Sequence, residues 1–338
     1  MKNAAMAQAV ESSQVLASIV GRSPAMQRVL SRVERVAPLT STVFITGETG
    51  TGKELIARAI HALSKRRNGR FVAVNCGAVP EGLFESELFG HLRGSFTGAV
   101  ANRRGLMEEA ASGTLFLDEI STVPPHVQIK LLRAIEDRAI LPVGGTRPVP
   151  VDFRLVAATN DDLALAVSRG EFREDLYYRI NVFPIHVPAL RDRRSDIPTL
   201  AEHFRARFAA RNSLVPPPFR PGMLERLSEM DWPGNVRELQ NYVERAIILG
   251  AGSPDIRCET LESRAPHCPD LLRHATDAQW SLAQLEEAYI LRVLEHTNGH
   301  RGLAATILGI DRRTLYRKLR SLESPGPLSE ALTACASD

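Results

Sequence analysis

The chain has 338 residues, 44% of them hydrophobic and 24% charged. That is enough for two or three small domains with a real core, in the composition range of ordinary soluble proteins. No apolar run approaches the ~20 residues of a membrane span and the N-terminal stretch lacks a signal-peptide core, so a cytoplasmic protein with no membrane partner is expected. The net charge of +3 is small, but its distribution is uneven: Asp311–Arg320 carries Arg312, Arg313, Arg317, Lys318 and Arg320 against one acid, a block suited either to a phosphate backbone or to a solvated helix face. Four cysteines (Cys76, Cys258, Cys268, Cys335) show no CxxC pairing and read as reduced thiols, with Cys258, His267 and Cys268 a remote candidate for a metal.

Met1–Ser18 is a short, polar, alanine-rich tail. Met26–Val36 has a helical pattern. Val43-Phe44-Ile45-Thr46 is a β-rich apolar run, followed by Gly47-Glu48-Thr49-Gly50-Thr51-Gly52-Lys53. Glu54 then opens a helix with Leu55, Ile56, Ala59 and Ile60 on its apolar side. The glycine spacing alone also suits an ordinary turn, but strand, glycine loop and helix in succession is the context a P-loop requires. The glycines let successive N–H groups and the helix N-terminus face a phosphate chain, and Lys53 supplies a point charge to it. Glu54 stands where a Ser or Thr usually ligates Mg²⁺; a carboxylate can do so directly or through water.

Phe71–Asn75 reads as a second strand. Gly94-Ser95-Phe96-Thr97-Gly98-Ala99 sets glycines around one phenylalanine, a mobile loop with an apolar tip, which is costly in water and implies a partner. Thr114–Glu119 is a buried-strand run ending in two acids, the Walker B form: Asp118 to hold Mg²⁺ and Glu119 to orient and deprotonate the attacking water. A helix over Pro124–Ala139 and a fourth strand over Arg154–Ala158 complete an alternation that predicts a parallel sheet covered on both faces.

From about Leu190 the strands stop. Ile197–Arg211, Gly222–Met230 and Asn235–Leu249 are helical, with a proline-rich loop over Leu214–Pro221, and residues 251–280 read as a linker. From Ser281, Leu282, Leu285, Tyr289 and Val293 lie on one side of a helix, with Ile290, Leu291 and Leu294 on the others; a helix apolar nearly all round hints at a dimer contact. Leu303–Ile310 and Asp311–Leu319 then form a helix with paired alanines, a glycine turn and a basic helix. That pattern fits an ordinary helical hairpin or a helix-turn-helix presenting Arg312, Arg313, Thr314, Tyr316, Arg317 and Lys318.

On these motifs the chain closely resembles the bacterial sigma-54-dependent activators, AAA+ ATPases with a Fis-like DNA-binding domain, from about Ser18 to Leu322. The most specific stretch is Glu85–Ala99, which is similar to the family's ESELFGH…GAFTGA signature, with Ser95 in place of alanine and Leu92-Arg93 in place of an acidic-basic pair. The resemblance implies further roles. Asn75 would restrain Glu119, Thr159-Asn160 would read the γ-phosphate, Arg173 and Arg179 would reach the neighbouring subunit's ATP, and Arg237 would report nucleotide state from the lid. Glutamate after the P-loop lysine is itself typical of the family.

The expected architecture is therefore an N-terminal tail (1–18), an α/β AAA+ core (19–189), a helical lid (190–250), a linker (251–280), an all-α Fis-type helix-turn-helix (281–322) and a C-terminal tail (323–338). The expected activity is Mg²⁺-dependent ATP hydrolysis by a ring, hexameric as in the family, that drives the Gly94–Ala99 loop against sigma-54 RNA polymerase from an upstream DNA site. Because the tail is too short for a sensory domain, control by a separate protein or by expression level is expected. Two rivals remain: a DNA-binding regulator using nucleotide only to set its oligomeric state, and an AAA+ remodeller of another class.

Overall fold

The computed structural model describes residues 19–96, 98–212, 218–249, 280–297 and 301–311, together with 314, 315, 318 and 319. It divides into two compact units, Met1–Cys258 and Glu259–Asp338.

In the first unit the strands are β1 (Val43–Thr46), β2 (Phe71–Asn75), β3 (Gly90–His91), β4 (Arg103–Arg104), β5 (Thr114–Asp118), β6 (Ala139–Ile140), β7 (Val149–Pro150), β8 (Arg154–Thr159) and β9 (Phe183–His186). Five of them form a parallel sheet in the order β2-β5-β8-β1-β9. The other four make two short antiparallel hairpins, β3 with β4 and β6 with β7. Period-two alternation divides each central strand between two cores. Leu115, Leu117, Leu155, Ala157 and Phe44 face one cluster; Phe116, Val156, Ala158, Val43 and Ile45 face the other. The second cluster is closed by the helix Pro24–Val36, whose Met26, Val29, Val33 and Val36 are buried at helical spacing.

The sequence indicated four strands, and the fifth, β9, is a correction. Its run Phe183-Pro184-Ile185-His186 is short and carries a proline, which reads against a strand. At the sheet edge, pairing only with β1, the missing proline N–H costs no ladder bond.

The lid-forming part packs the helix Ile197–Arg211 against Met223–Glu229 and Asn235–Leu249. Its centre is Trp232, 1% exposed, whose Nε1 donates to Leu227 O at 2.8 Å and whose ring meets Tyr242 edge-on.

In the second unit, Ser281 and Gln284 cap the helix Leu282–His296 reciprocally: Ser281 N–H donates to Gln284 Oε1 at 2.8 Å, and Gln284 N–H donates to Ser281 Oγ at 3.3 Å. Ile290 and Val293 pack on Ala304, Ala305 and Leu315, so the paired alanines do allow close approach of the helix Arg301–Leu308. Of the apolar stripe, Val293 is buried and Leu285 half-buried, while Leu282 and Tyr289 are exposed in the single chain. The metal candidate at Cys258, His267 and Cys268 lies outside the described residues.

Candidate active site

The loop after β1, the acids at the end of β5 and the polar pair at the end of β8 all lie at the C-terminal edge of the parallel sheet, where adjacent strands bring them together. Because β8 lies between β1 and β5, Thr159 stands between the glycine loop and the acids. Lys53, 8% exposed, donates from Nζ to Gly47 O at 2.7 Å and to Glu48 O at 3.2 Å. Burial lowers its proton affinity while the Asp118 and Glu119 charges raise it. Burial in turn holds the Asp118 carboxyl above the usual carboxylate range, opposed by Lys53. Glu119 adopts a left-handed backbone (φ 55°, ψ 46°), rare for a residue with a side chain and characteristic of strain kept at functional positions.

Asn75 and Glu119 both lie against Gly77. Gly77 N–H donates to Asn75 Oδ1 at 2.9 Å, and a Cβ added at Gly77 would fall 2.4 Å from Glu119 Oε2. Among the described residues no hydrogen bond joins Asn75 to Glu119 in this state; the pair is close but separate. Thr159 belongs to a polar chain: its Oγ1 donates to Ser121 Oγ at 3.2 Å, and Ser121 Oγ donates to Asp161 Oδ2 at 2.6 Å. Asn160 is exposed beside it. Ser121 and Asp161 carried no motif and were missed; only the folded sheet edge brings them together. Cys76, buried between Gly77 and β2, is pushed up to about 12, first by burial, and is an inert thiol.

Glu54 pairs with Arg58 one turn on, at 2.7 Å, on an exposed helix face. Among the described residues no cluster of three or more potential metal ligands exists. Mg²⁺ takes one or two carboxylates and completes its shell with phosphate oxygens and water. Asp118, whose carboxyl lies beside Lys53, offers a carboxylate of that kind.

The lid reaches the glycine loop directly. Gly50 has φ +80°, and a Cβ there would lie 2.3 Å from Gly234 O, so only glycine fits. Arg237 N–H donates to Gly50 O at 3.3 Å. Arg191 makes a two-pronged bond to the Glu48 carboxylate, at 2.8 and 2.5 Å, and Arg193 donates to Thr51 O at 2.9 Å. Neither arginine was singled out in the sequence. Arg173 is fastened by its N–H to Gln128 Oε1 at 2.8 Å and pairs with Asp175 at 2.7 Å. Arg179, on the same helix Glu174–Ile180, is exposed and has no hydrogen-bond or ion-pair partner among the described residues.

Between β3 and β4, Gly94 N–H donates to Ala99 O at 2.8 Å, closing a tight loop. Phe96 is 38% exposed and its ring meets His91 edge-on at 5.0 Å. The β6–β7 hairpin props this loop: Leu92 N–H donates to Val143 O at 3.0 Å, and Gly144 packs on Ser95. Ser95 Oγ is buried without a hydrogen-bond partner among the described residues. Thr97 lies outside the described residues, as do Arg312, Arg313, Tyr316 and Arg317 of the basic helix. Thr314 is half-buried, and Lys318 Nζ pairs with Glu286 at 2.7 Å.

Comparison with known proteins agrees with this arrangement. Residues 19–186 match the sigma-54 interaction domain, 191–270 an AAA+ ATPase lid domain and 281–322 the Fis family of bacterial regulatory proteins. The chain is 50% identical over 301 residues to the transcriptional regulatory protein ZraR of Escherichia coli K12, covering 89% of this chain and 68% of that one. The crystal structure of NtrX from Brucella abortus superposes with a TM-score of 0.70 at 37% identity, over 95% of this chain and 72% of that one. NtrX in complex with ATP does so with a TM-score of 0.67 at 38% identity, over 90% of this chain and 69% of that one. A parallel-sheet AAA+ core carrying this glycine loop and acid pair, a helical lid and a Fis-type helix-turn-helix place the chain in the family of sigma-54-dependent transcriptional activators.

Proposed function

We propose that this protein hydrolyses ATP to remodel the closed complex of sigma-54 RNA polymerase from an upstream DNA site. The observation that carries this is the convergence of Lys53, Asp118, Glu119 and Thr159 on one sheet edge under a lid arginine, with the Phe96 loop exposed on the same unit. Nucleotide binding is supported by the ATP-bound relative and by a glycine loop whose lysine is held, in this state, by the loop's own carbonyls. Lys53 exchanges those carbonyls for phosphate oxygens when nucleotide enters. Asp118 would hold Mg²⁺, with Glu54 joining it directly or through water, and the ion would supply positive charge to offset that of the phosphates.

Glu119 takes a proton from the attacking water, and its carboxylate must leave Gly77 to do so. Asn75, whose Oδ1 accepts the Gly77 N–H and lies by the same face of Gly77, is placed to limit that movement. Thr159 and Asn160 read the terminal phosphate and pass its presence through Ser121 to the turn after Glu119. Arg173 and Arg179 complete the site of a neighbouring copy, which makes the active form an oligomer, a hexamer as is usual for such rings. Arg179, unpaired among the described residues, is the better placed to offer its charge. The core spans 19–189, the lid 190–250 and the DNA-binding domain 281–322, with 251–280 as linker. There Arg312, Arg313, Thr314, Tyr316 and Arg317 contact DNA, and Lys318 joins them once released from Glu286. The exposed Leu282 and Tyr289 suit pairing of two such domains.

The test is open-complex formation on a sigma-54 promoter with purified polymerase, ATP and this protein. An ATP-dependent signal is expected, lost in Glu119→Gln together with at least about 10²-fold of the hydrolysis rate while nucleotide binding persists. Intact ATPase activity with no open complex would refute the remodelling reading.

A further inference from the structure

The turn that opens the helix Asn235–Leu249 grips the glycine loop from the outside. Asn235 is fully buried and starts the helix with φ +52°. Its Oδ1 accepts Leu190 N–H at 2.8 Å, while its Nδ2 donates to Glu48 Oε2 and to Thr49 O, each at 3.1 Å. Glu48 is the hub of this contact: the same carboxylate receives both prongs of Arg191. Binding a triphosphate does not call for an acid in the cradle, since like charges repel. Here the acid is committed to the lid instead. Arg237 lies two residues beyond Asn235, within the same helical turn, and its charge acts on both Lys53 and Asp118. A rotation that freed Asn235 from Glu48 would carry Arg237 away from the phosphate end of the site.

We propose that Glu48 is a positioning residue whose carboxylate holds the Asn235 turn, and through it the Arg237 guanidinium, against the nucleotide site. This rests on the nucleotide reading above. It predicts that Glu48 and Arg237 act as one unit.

The experiment compares steady-state ATP hydrolysis and fluorescent ATP-analogue binding for wild type, Glu48→Ala, Glu48→Gln, Arg237→Ala and the double variant Glu48→Ala/Arg237→Ala. Glu48→Ala is expected to reproduce the kcat-against-KM pattern of Arg237→Ala, with a loss of about tenfold in kcat/KM. The double variant should fall no more than about twofold below Arg237→Ala. Glu48→Gln keeps an acceptor for Asn235 and Arg191 and should recover most of the loss. Multiplying losses in the double variant, or no recovery by glutamine, would overturn the proposal. Where Glu48→Ala does not fold, Asn235→Asp serves: it keeps the acceptor for Leu190 but turns a carboxylate toward Glu48, so the same pattern is expected and full activity overturns the idea. A folded wild type that binds no nucleotide would instead refute the functional reading on which the proposal rests.

Discussion

Ser95→Ala should hold the Phe96 loop more firmly in the seat it occupies here. Ser95 Oγ is buried and has no hydrogen-bond partner among the described residues, while Ser95 N–H still donates to Leu92 O at 3.2 Å. A buried, unsatisfied hydroxyl costs about 1–3 kcal/mol; for a loop near the surface the lower end applies, about 1 kcal/mol. Alanine keeps the Cβ that packs on Gly144 and loses only the hydroxyl. The ratio of seated to unseated loop should therefore rise about fivefold, because 1.4 kcal/mol is tenfold. Amide hydrogen exchange at Gly94, whose N–H is bonded to Ala99 O, reads this directly: exchange should slow about fivefold with little change in global melting. Gly144→Ala is the opposing perturbation. Its Cβ would fall 2.6 Å from Ser95 Cβ at a residue with φ +77°, so the same amide should exchange faster. Unchanged or faster exchange in Ser95→Ala would refute the argument, since it would mean the hydroxyl is satisfied when the loop is seated.

Two further predictions concern stability. Arg154, 2% exposed, donates to Val36 O at 2.7 Å and Ala37 O at 2.6 Å, closing the C-terminal end of the helix Pro24–Val36 with a cation. Arg154→Ala removes both bonds, leaving Val36 O with the Leu39 N–H and Ala37 O without its Arg154 donor, and opens a cavity; it should cost about 3 kcal/mol, read as a lower urea midpoint with an unchanged slope. Acid sensitivity follows from Glu48, held at about 2 by the Arg191 hydrogen bond and then by Asn235. Its folded value lies below its unfolded one, so its contribution is complete above about pH 4.5 and is lost as pH falls toward 2. Because its side chain is 43% exposed, solvent screening reduces this to about 1 kcal/mol. His61, whose proton affinity is lowered chiefly by burial, adds a loss in the same direction as pH falls below about 6.5. Urea unfolding at pH 5 and pH 3 should show the gap between wild type and Glu48→Gln closing by about 0.5 kcal/mol, half of the total, since pH 3 still lies above the folded value; a constant gap would argue against the ion pair as its source.

The sequence alone determined the central strands, the glycine loop with Lys53, the acids at 118 and 119, and the apolar loop around Phe96. Each is written in a local period: alternation for strands buried on both faces, fixed glycine spacing for a phosphate cradle, and a strand ending in acids. Strand β9 was not legible, because Pro184 is tolerated only by its edge position, and edge position is a property of the whole sheet. The Glu48 clamp joins residues 143 and 187 positions apart, so no window of sequence contains it. Likewise the sequence marked Ser95 as a departure, but only the packing of the β6–β7 hairpin decided that its hydroxyl is buried without a partner. Local patterns specify which chemistry the backbone can present; which side chains restrain that chemistry depends on contacts made only when the sheet and the lid have come together.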